Sequence, residues 1–342
     1  MPMSRVLIIF YLLFSSTAFS QNFRIYHIGN SLTWDCRPVS IKNLLLRNGY
    51  DTVQQGYHID CSQNLKTIVN DRPTSTCVPT VAPYGPWPNA LGEHEWDAIT
   101  LQAFSGTDGA SEIQATADLI TAATSNDRNQ DCIFFLYLAW PKISESQTFS
   151  EQMAAPFQSG NDSVELTSEF LDFWFSGVKS LHPDVDIRVI PTGTALSNID
   201  QKLDEIPVPS FESTYDFFRD TTHLSLTEGR HFAQTMMFCS ITGICPGDIS
   251  FTQNYLSALD PEISNLTSSV IDFTLNADPR TGIARNPELN LSLNRIGGLE
   301  CNFTGRLYTT TDLINWTELP DAISPHRVSD GDEEMRFYRA AR

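Results

Sequence analysis

From Phe23 to about Asn276 the chain alternates short apolar runs with stretches in which apolar residues return every three or four positions. The runs Phe23–Gly29, Asp97–Leu101, Cys132–Ala139 and Ile187–Pro191 have the length and composition of buried strands, and Asp51–Tyr57 adds another. Between them, Val39–Arg47, Ser111–Ala123, Glu165–Ser180 and Thr227–Thr242 carry the spacing of amphipathic helices. Strands alternating with helices predict an α/β fold in three layers, a parallel sheet flanked by helices. The Trp and Phe residues around Leu171–Phe175 read as core packing rather than a ligand stack.

The texture changes near Asn276. After Asp278-Pro279-Arg280-Thr281-Gly282 the sequence is turn-rich, with β-prone runs at Leu289–Leu293, Gly305–Thr309 and Arg336–Arg339, which predicts a small C-terminal β-domain spanning 278–342. At the other end, residues 1–20 read as a signal peptide: Arg5, an apolar run from Val6 to Phe14, then small residues up to Ala18 and Ser20 before a cleavage point at Gln21. The run falls short of the roughly 20 apolar residues a membrane span needs. The mature chain, 21 onward, is therefore expected to be secreted, extracellular or periplasmic, with no membrane insertion.

Composition adds two constraints. With 22 Lys and Arg against 41 Asp and Glu the net charge is −19, a field that repels phosphate backbones and argues against a nucleic-acid partner. Export would also place the seven cysteines where disulfides form, and the odd count leaves at least one unpaired. Cys239 and Cys245 flank a short turn-like stretch, and Cys61 and Cys77 are the next nearest candidates. Their spacing matches no zinc pattern, so no metal is expected.

Ester hydrolysis without a metal needs a nucleophile, a base, a group that orients the base, and donors for the oxyanion. Ser31 lies where the strand Phe23–Gly29 runs into Gly29-Asn30 and a turn, at the carboxyl end where open α/β sheets bind ligands. Far downstream, Asp220 stands three residues before His223 in a loop ahead of a helix, near enough to fix the imidazole tautomer while the other ring nitrogen faces Ser31. Each motif alone has a plainer reading, a helix-capping serine in a turn and a surface histidine.

In this order the two motifs resemble the SGNH (GDSL-like) hydrolase superfamily, over about residues 23–276, in its bacterial subgroup with a C-terminal β-module. The resemblance implies a flavodoxin-like sheet and a Ser31–His223–Asp220 triad, with Asn30 standing where many members have Asp. It also implies oxyanion donors: the Ser31 amide, a glycine amide after the second strand, and an Asn side chain after the third. Here Ser62 occupies the glycine position and Gln102 the Asn position, so the Ser62 backbone N–H and the Gln102 carboxamide are the expected donors. The function implied is serine esterase, acting on small-molecule or glycan esters, acetyl esters on carbohydrate among them, with no cofactor. A non-catalytic carbohydrate-binding protein on the same scaffold is the alternative.

The remaining candidates are plainer. Glu93-His94-Glu95 has no partner histidine at helical spacing and reads as a solvated loop, and His231 reads as a satisfied helix histidine. Trp140 suits either a pocket wall or the core. The loops Thr74–Gly92 and Ser144–Ser163 are expected to carry specificity. No G-x-S-x-G, G-x-G-x-x-G or Walker loop is present.

Overall fold

The computed structural model describes residues 21–283 apart from 75, 126, 145, 159, 161, 162, 206 and 207, together with the backbone of short strands beyond 283. The expected signal peptide lies outside the described residues. Five strands, β1 (Asn22–Gly29), β2 (Thr52–Ile59), β3 (Ala98–Gln102), β4 (Ile133–Leu138) and β5 (Ile187–Pro191), form one all-parallel sheet in the order β2-β1-β3-β4-β5. β3 is buried at every position and β4 at all but its first, as near-continuous apolar sequence requires of a sheet covered on both faces.

The helices divide into two layers. Leu65–Asn70, Trp87–Glu93, Gly109–Thr124 and Ser168–Leu181 pack with one another, and Pro38–Arg47, Thr192–Glu205, Glu228–Thr242 and Pro261–Ala277 form a second group. Phe170, Leu171 and Trp174 are core, with Phe170 stacked on Trp174 and the Trp174 indole donating to Thr116 Oγ1 at 2.9 Å. The helix predicted over Thr227–Thr242 forms over Glu228–Thr242. A seventeen-residue helix follows it, started by Asp260 accepting from Glu262 and Ile263 N–H groups and by Pro261 in its first turn. Its buried apolar residues, Ile263, Leu266, Val270, Ile271 and Leu275, keep a helical spacing.

Beyond this helix, Leu289–Leu293 and Leu299–Phe303 pair antiparallel with each other, as do Arg306–Thr310 and Phe337–Ala341. Residues 278–283, however, belong to the α/β layers. Thr281 is buried and donates to the Leu275 carbonyl, Arg280 pairs with Asp172 at 2.6 Å, and Ile283 packs against the core. A boundary at 278 would cut through this anchoring. Among the described residues no helix is long and apolar enough to cross a membrane.

Sheet order decides where a ligand can sit. Connections from β1 and β3 leave in opposite directions across the sheet, so a crevice opens at the carboxyl ends of these two neighbours. Ser31 follows β1 and Gln102 ends β3.

Candidate active site

The turn after β1 is held from two sides. Asn30 caps the five-residue helix Ser31–Asp35: its Oδ1 accepts from Leu32 N–H at 3.0 Å and its Nδ2 donates to the Gln63 carbonyl at 2.9 Å. Asn30, not Ser31, is thus the capping residue. Gln102 Oε1 accepts from Asn30 N–H at 3.1 Å, Thr33 N–H at 3.2 Å and Thr33 Oγ1 at 2.9 Å. This close approach depends on Gly29, where a Cβ would collide with Thr33 Oγ1 and come within 2.8 Å of Gln102 Cβ. Trp34 N–H donates to the Asn30 carbonyl. The first-turn N–H groups of Leu32, Thr33 and Trp34 are therefore all satisfied, and among the described residues only that of Ser31 has no acceptor.

The Ser31 hydroxyl, at the half-buried rim of the crevice, lies 3.0 Å from His223 Nε2. His223 Nδ1 is 3.1 Å from both Asp220 oxygens. Asp220 Oδ1 also accepts from the Thr222 and His223 N–H groups, both at 2.8 Å. Partial burial pushes the Asp220 carboxyl up, but these two N–H groups and the His223 ring outweigh it and hold the carboxyl below its usual range. The Asp220 carboxylate thus sits at one ring nitrogen of His223 while the other meets the Ser31 hydroxyl.

Ser62 sits in the turn after β2, closed by Gln63 N–H donating to the Asp60 carbonyl at 3.1 Å. Its φ is +61°, the left-handed region. That geometry explains why glycine would suit the position, and serine holds it at a cost of about 1 kcal/mol. Nothing among the described residues accepts from the Ser62 N–H. The turn is tethered by a Cys61–Cys77 disulfide. The other anticipated pair is not formed, since Cys239 is buried in its helix and Cys245 is not bonded to it. The Cys301 side chain lies outside the described residues.

Gln102 departs from expectation. Its side chain is fully buried, its oxygen serves the Asn30–Thr33 turn, and its Nε2 donates to the Ala103 carbonyl at 2.8 Å. The bonds the carboxamide makes go to the turn that carries Ser31 and to its own strand end, a supporting placement rather than the donor position expected of it. The extra methylene, relative to Asn, is what lets it reach across from β3 to β1.

A cavity of about 420 Å³ opens beside Leu32 and Thr222, the neighbours of the serine and the histidine. Phe104, Trp140, Lys142 and Glu165 stand among its walls. The stretch Ser144–Ser163 contributes to the lining, whereas no described residue of Thr74–Gly92 does. Trp140 is both wall and core: it is 1% exposed, and its indole donates to the Thr222 carbonyl at 2.7 Å.

Of the plainer candidates, His94 packs edge-on against Tyr84 and Glu95 pairs with Arg24, and among the described residues no cluster could hold a metal ion. His231 is buried against Phe251 and Tyr255, where desolvation pushes it down to about 4. Three buried carboxyls near the site, Asp35, Asp60 and Glu112, were not anticipated. Asp35 lies four residues after Ser31, at the spacing of one helical turn, but a buried acid has no signature in sequence apart from its distant partners.

No protein-family model matches the chain, and no curated protein matches it in sequence. Among solved structures, a DUF4886 family protein from Bacteroides uniformis shares the fold, with a TM-score of 0.51 over 73% of this chain and 93% of that one at 18% identity. Weaker likenesses are to the periplasmic domain of a lipopolysaccharide acetyltransferase from Salmonella ser. Paratyphi A (TM-score 0.32, 13% identity, 52% of this chain and 69% of that one) and to a gut microbial diltiazem-metabolizing enzyme (TM-score 0.34, 10% identity, 88% and 61%).

Proposed function

We propose that this chain is an exported serine esterase working through a covalent acyl-enzyme. The observation that carries this reading is the unbroken relay from Asp220 through His223 to the Ser31 hydroxyl at hydrogen-bond distances. Ser31 attacks the ester carbonyl, His223 takes the hydroxyl proton and returns it to the leaving alcohol, and Asp220 stabilises the imidazolium. Water then repeats the sequence on the acyl-serine, releasing the acid. The oxyanion is met by the backbone N–H groups of Ser31 and Ser62, which have no other acceptor among the described residues.

Acetylated carbohydrate is the substrate class we favour. The cavity beside the serine mixes aromatic Phe104 and Trp140 with Lys142, Glu165 and several hydroxyl and amide side chains, a lining better matched to a sugar than to an acyl tail. Export is supported by the signal-like residues 1–20 and by the Cys61–Cys77 disulfide. The β-rich segment after Ile283 is proposed as an accessory module.

The test is hydrolysis of p-nitrophenyl acetate, acetylated xylan and long-chain p-nitrophenyl esters by wild type and Ser31→Ala. Turnover by the wild type alone, fastest on an acetylated sugar, is the expected result. Equal rates from both proteins would sink the mechanism and leave a protein that only binds glycan. Preference for long-chain esters would sink the carbohydrate assignment alone.

A further inference from the structure

Asp35 closes the short helix that begins at Ser31, and its carboxylate is 1% exposed. Its Oδ1 accepts from Arg230 Nε at 3.0 Å, Arg230 Nη2 at 2.9 Å and Arg219 Nη1 at 3.3 Å, and its Oδ2 accepts from Leu224 N–H at 3.0 Å. Arg219 directly precedes Asp220, and Leu224 directly follows His223. Both flanks of the loop that carries acid and base therefore end on one carboxylate, four residues from the serine they serve. The loop is also closed on itself: Arg219 N–H donates to the His223 carbonyl at 2.9 Å, and the Arg219 guanidinium donates to the Leu224 carbonyl.

Burying a carboxylate is costly, and apolar side chains of similar volume in place of the whole Asp35–Arg219–Arg230 set would fill the space as stably. What an apolar side chain cannot do is fix direction. Two guanidiniums and one backbone N–H around a single carboxylate define the position of the 219–224 segment relative to the Ser31 helix. The tip of the loop has separate anchors on the β4 side, where Trp140 Nε1 donates to the Thr222 carbonyl at 2.7 Å and Ile143 N–H to the Thr221 carbonyl at 2.9 Å. Losing Asp35 should thus leave the loop in place but free to tilt about those anchors.

The geometry points to Asp35 as a positioning residue that sets the separation between Ser31 Oγ and His223 Nε2, a role that rests on the triad proposed above. Asp35→Asn keeps the shape and removes the charge. It is measured with p-nitrophenyl acetate beside the wild type, with thermal unfolding as a check on folding, and again in a His223→Ala background. The expected loss is in kcat, on the order of 10²-fold as for a misplacement near 1 Å, with KM changed less than about threefold. In the His223→Ala background the same substitution should change residual turnover by less than about twofold, because no imidazole remains to be placed.

Two results overturn the assignment: a folded Asp35→Asn enzyme with near-normal kcat, or an equal loss in the His223→Ala background, which would make Asp35 merely structural. If Asp35→Asn does not fold, Arg230→Met removes two of the four bonds and is put through the same pair of measurements. A crystal structure of the variant answers without substrate, since the Ser31–His223 separation must open beyond about 3.5 Å. A wild type devoid of turnover would defeat the esterase reading, and that structure would still decide the clamp.

Discussion

Glu112, in the first turn of the helix Gly109–Thr124, is fully buried between two loops of the site. Its Oε1 accepts from Leu65 N–H at 3.2 Å and Phe104 N–H at 3.4 Å, and among the described residues nothing bonds Oε2. Desolvation dominates and pushes the carboxyl up to about 8, against the pull of those two N–H groups. The acid is protonated in the folded protein at neutral pH, while in the unfolded chain it ionises near the ordinary value of 4.5. Between those two values the folded state binds the extra proton, so stability is fullest below the lower one and falls as pH rises toward the upper one, by about 1.4 kcal/mol per unit and up to about 5 kcal/mol in all. Glu112→Gln imitates the protonated acid without titrating. Urea unfolding of both proteins from pH 5 to pH 9 should give nearly equal stability at pH 5 and a variant several kcal/mol more stable by pH 8, the gap levelling above that. Parallel curves over the whole range would refute the argument, because the gap is the Glu112 contribution alone.

Other outcomes follow from the site. Ser31→Ala and His223→Ala should each lower kcat/KM by about 10⁴-fold or more without loss of folding, and the double variant should be little worse than either, as steady-state kinetics will register. Gln102→Ala should lower thermal stability as well as kcat, since it strands the buried donors of Asn30 and Thr33 at about 1–3 kcal/mol each; a drop in kcat with unchanged melting would return Gln102 to the oxyanion. Ser62→Gly should keep kcat and gain about 1 kcal/mol in a denaturant titration, because glycine takes the left-handed φ without strain. A chain ending after Ile283 should hydrolyse p-nitrophenyl acetate as fast as the full chain, whereas one ending at Ala277 should melt earlier for want of the Thr281 and Arg280 anchors.

The sheet was legible because its strands are nearly all apolar and its helices keep one buried stripe; β5 begins and ends where the sequence puts it, and β2 runs two residues further, to Ile59. Thr192–Glu205 was not legible. It starts straight from Pro191 with Thr-Gly-Thr, poor helix formers that hide a helix whose stability comes from packing. Pro261–Ala277 did carry a readable start in Asp260-Pro261 and a helical apolar spacing. At the site, Ser31, Asp220 and His223 could be named because an ordered pair of motifs carried them. The task of Gln102 could not be foreseen, since a carboxamide can donate or accept and only its neighbours decide. Asp35 and its two arginines lie nearly 200 positions apart, and composition cannot pair them.

The serine and the imidazole that meet at 3.0 Å are 192 positions apart in the chain. During synthesis the hydroxyl therefore waits through most of the α/β region before a base exists to activate it, and an unassisted serine hydroxyl is a poor nucleophile. On the proposed mechanism, turnover is a late event in the life of each molecule. In a refolding experiment, returning esterase activity would count only molecules in which the first strand and the 219–224 loop have docked, making the reaction a clock for that long-range contact.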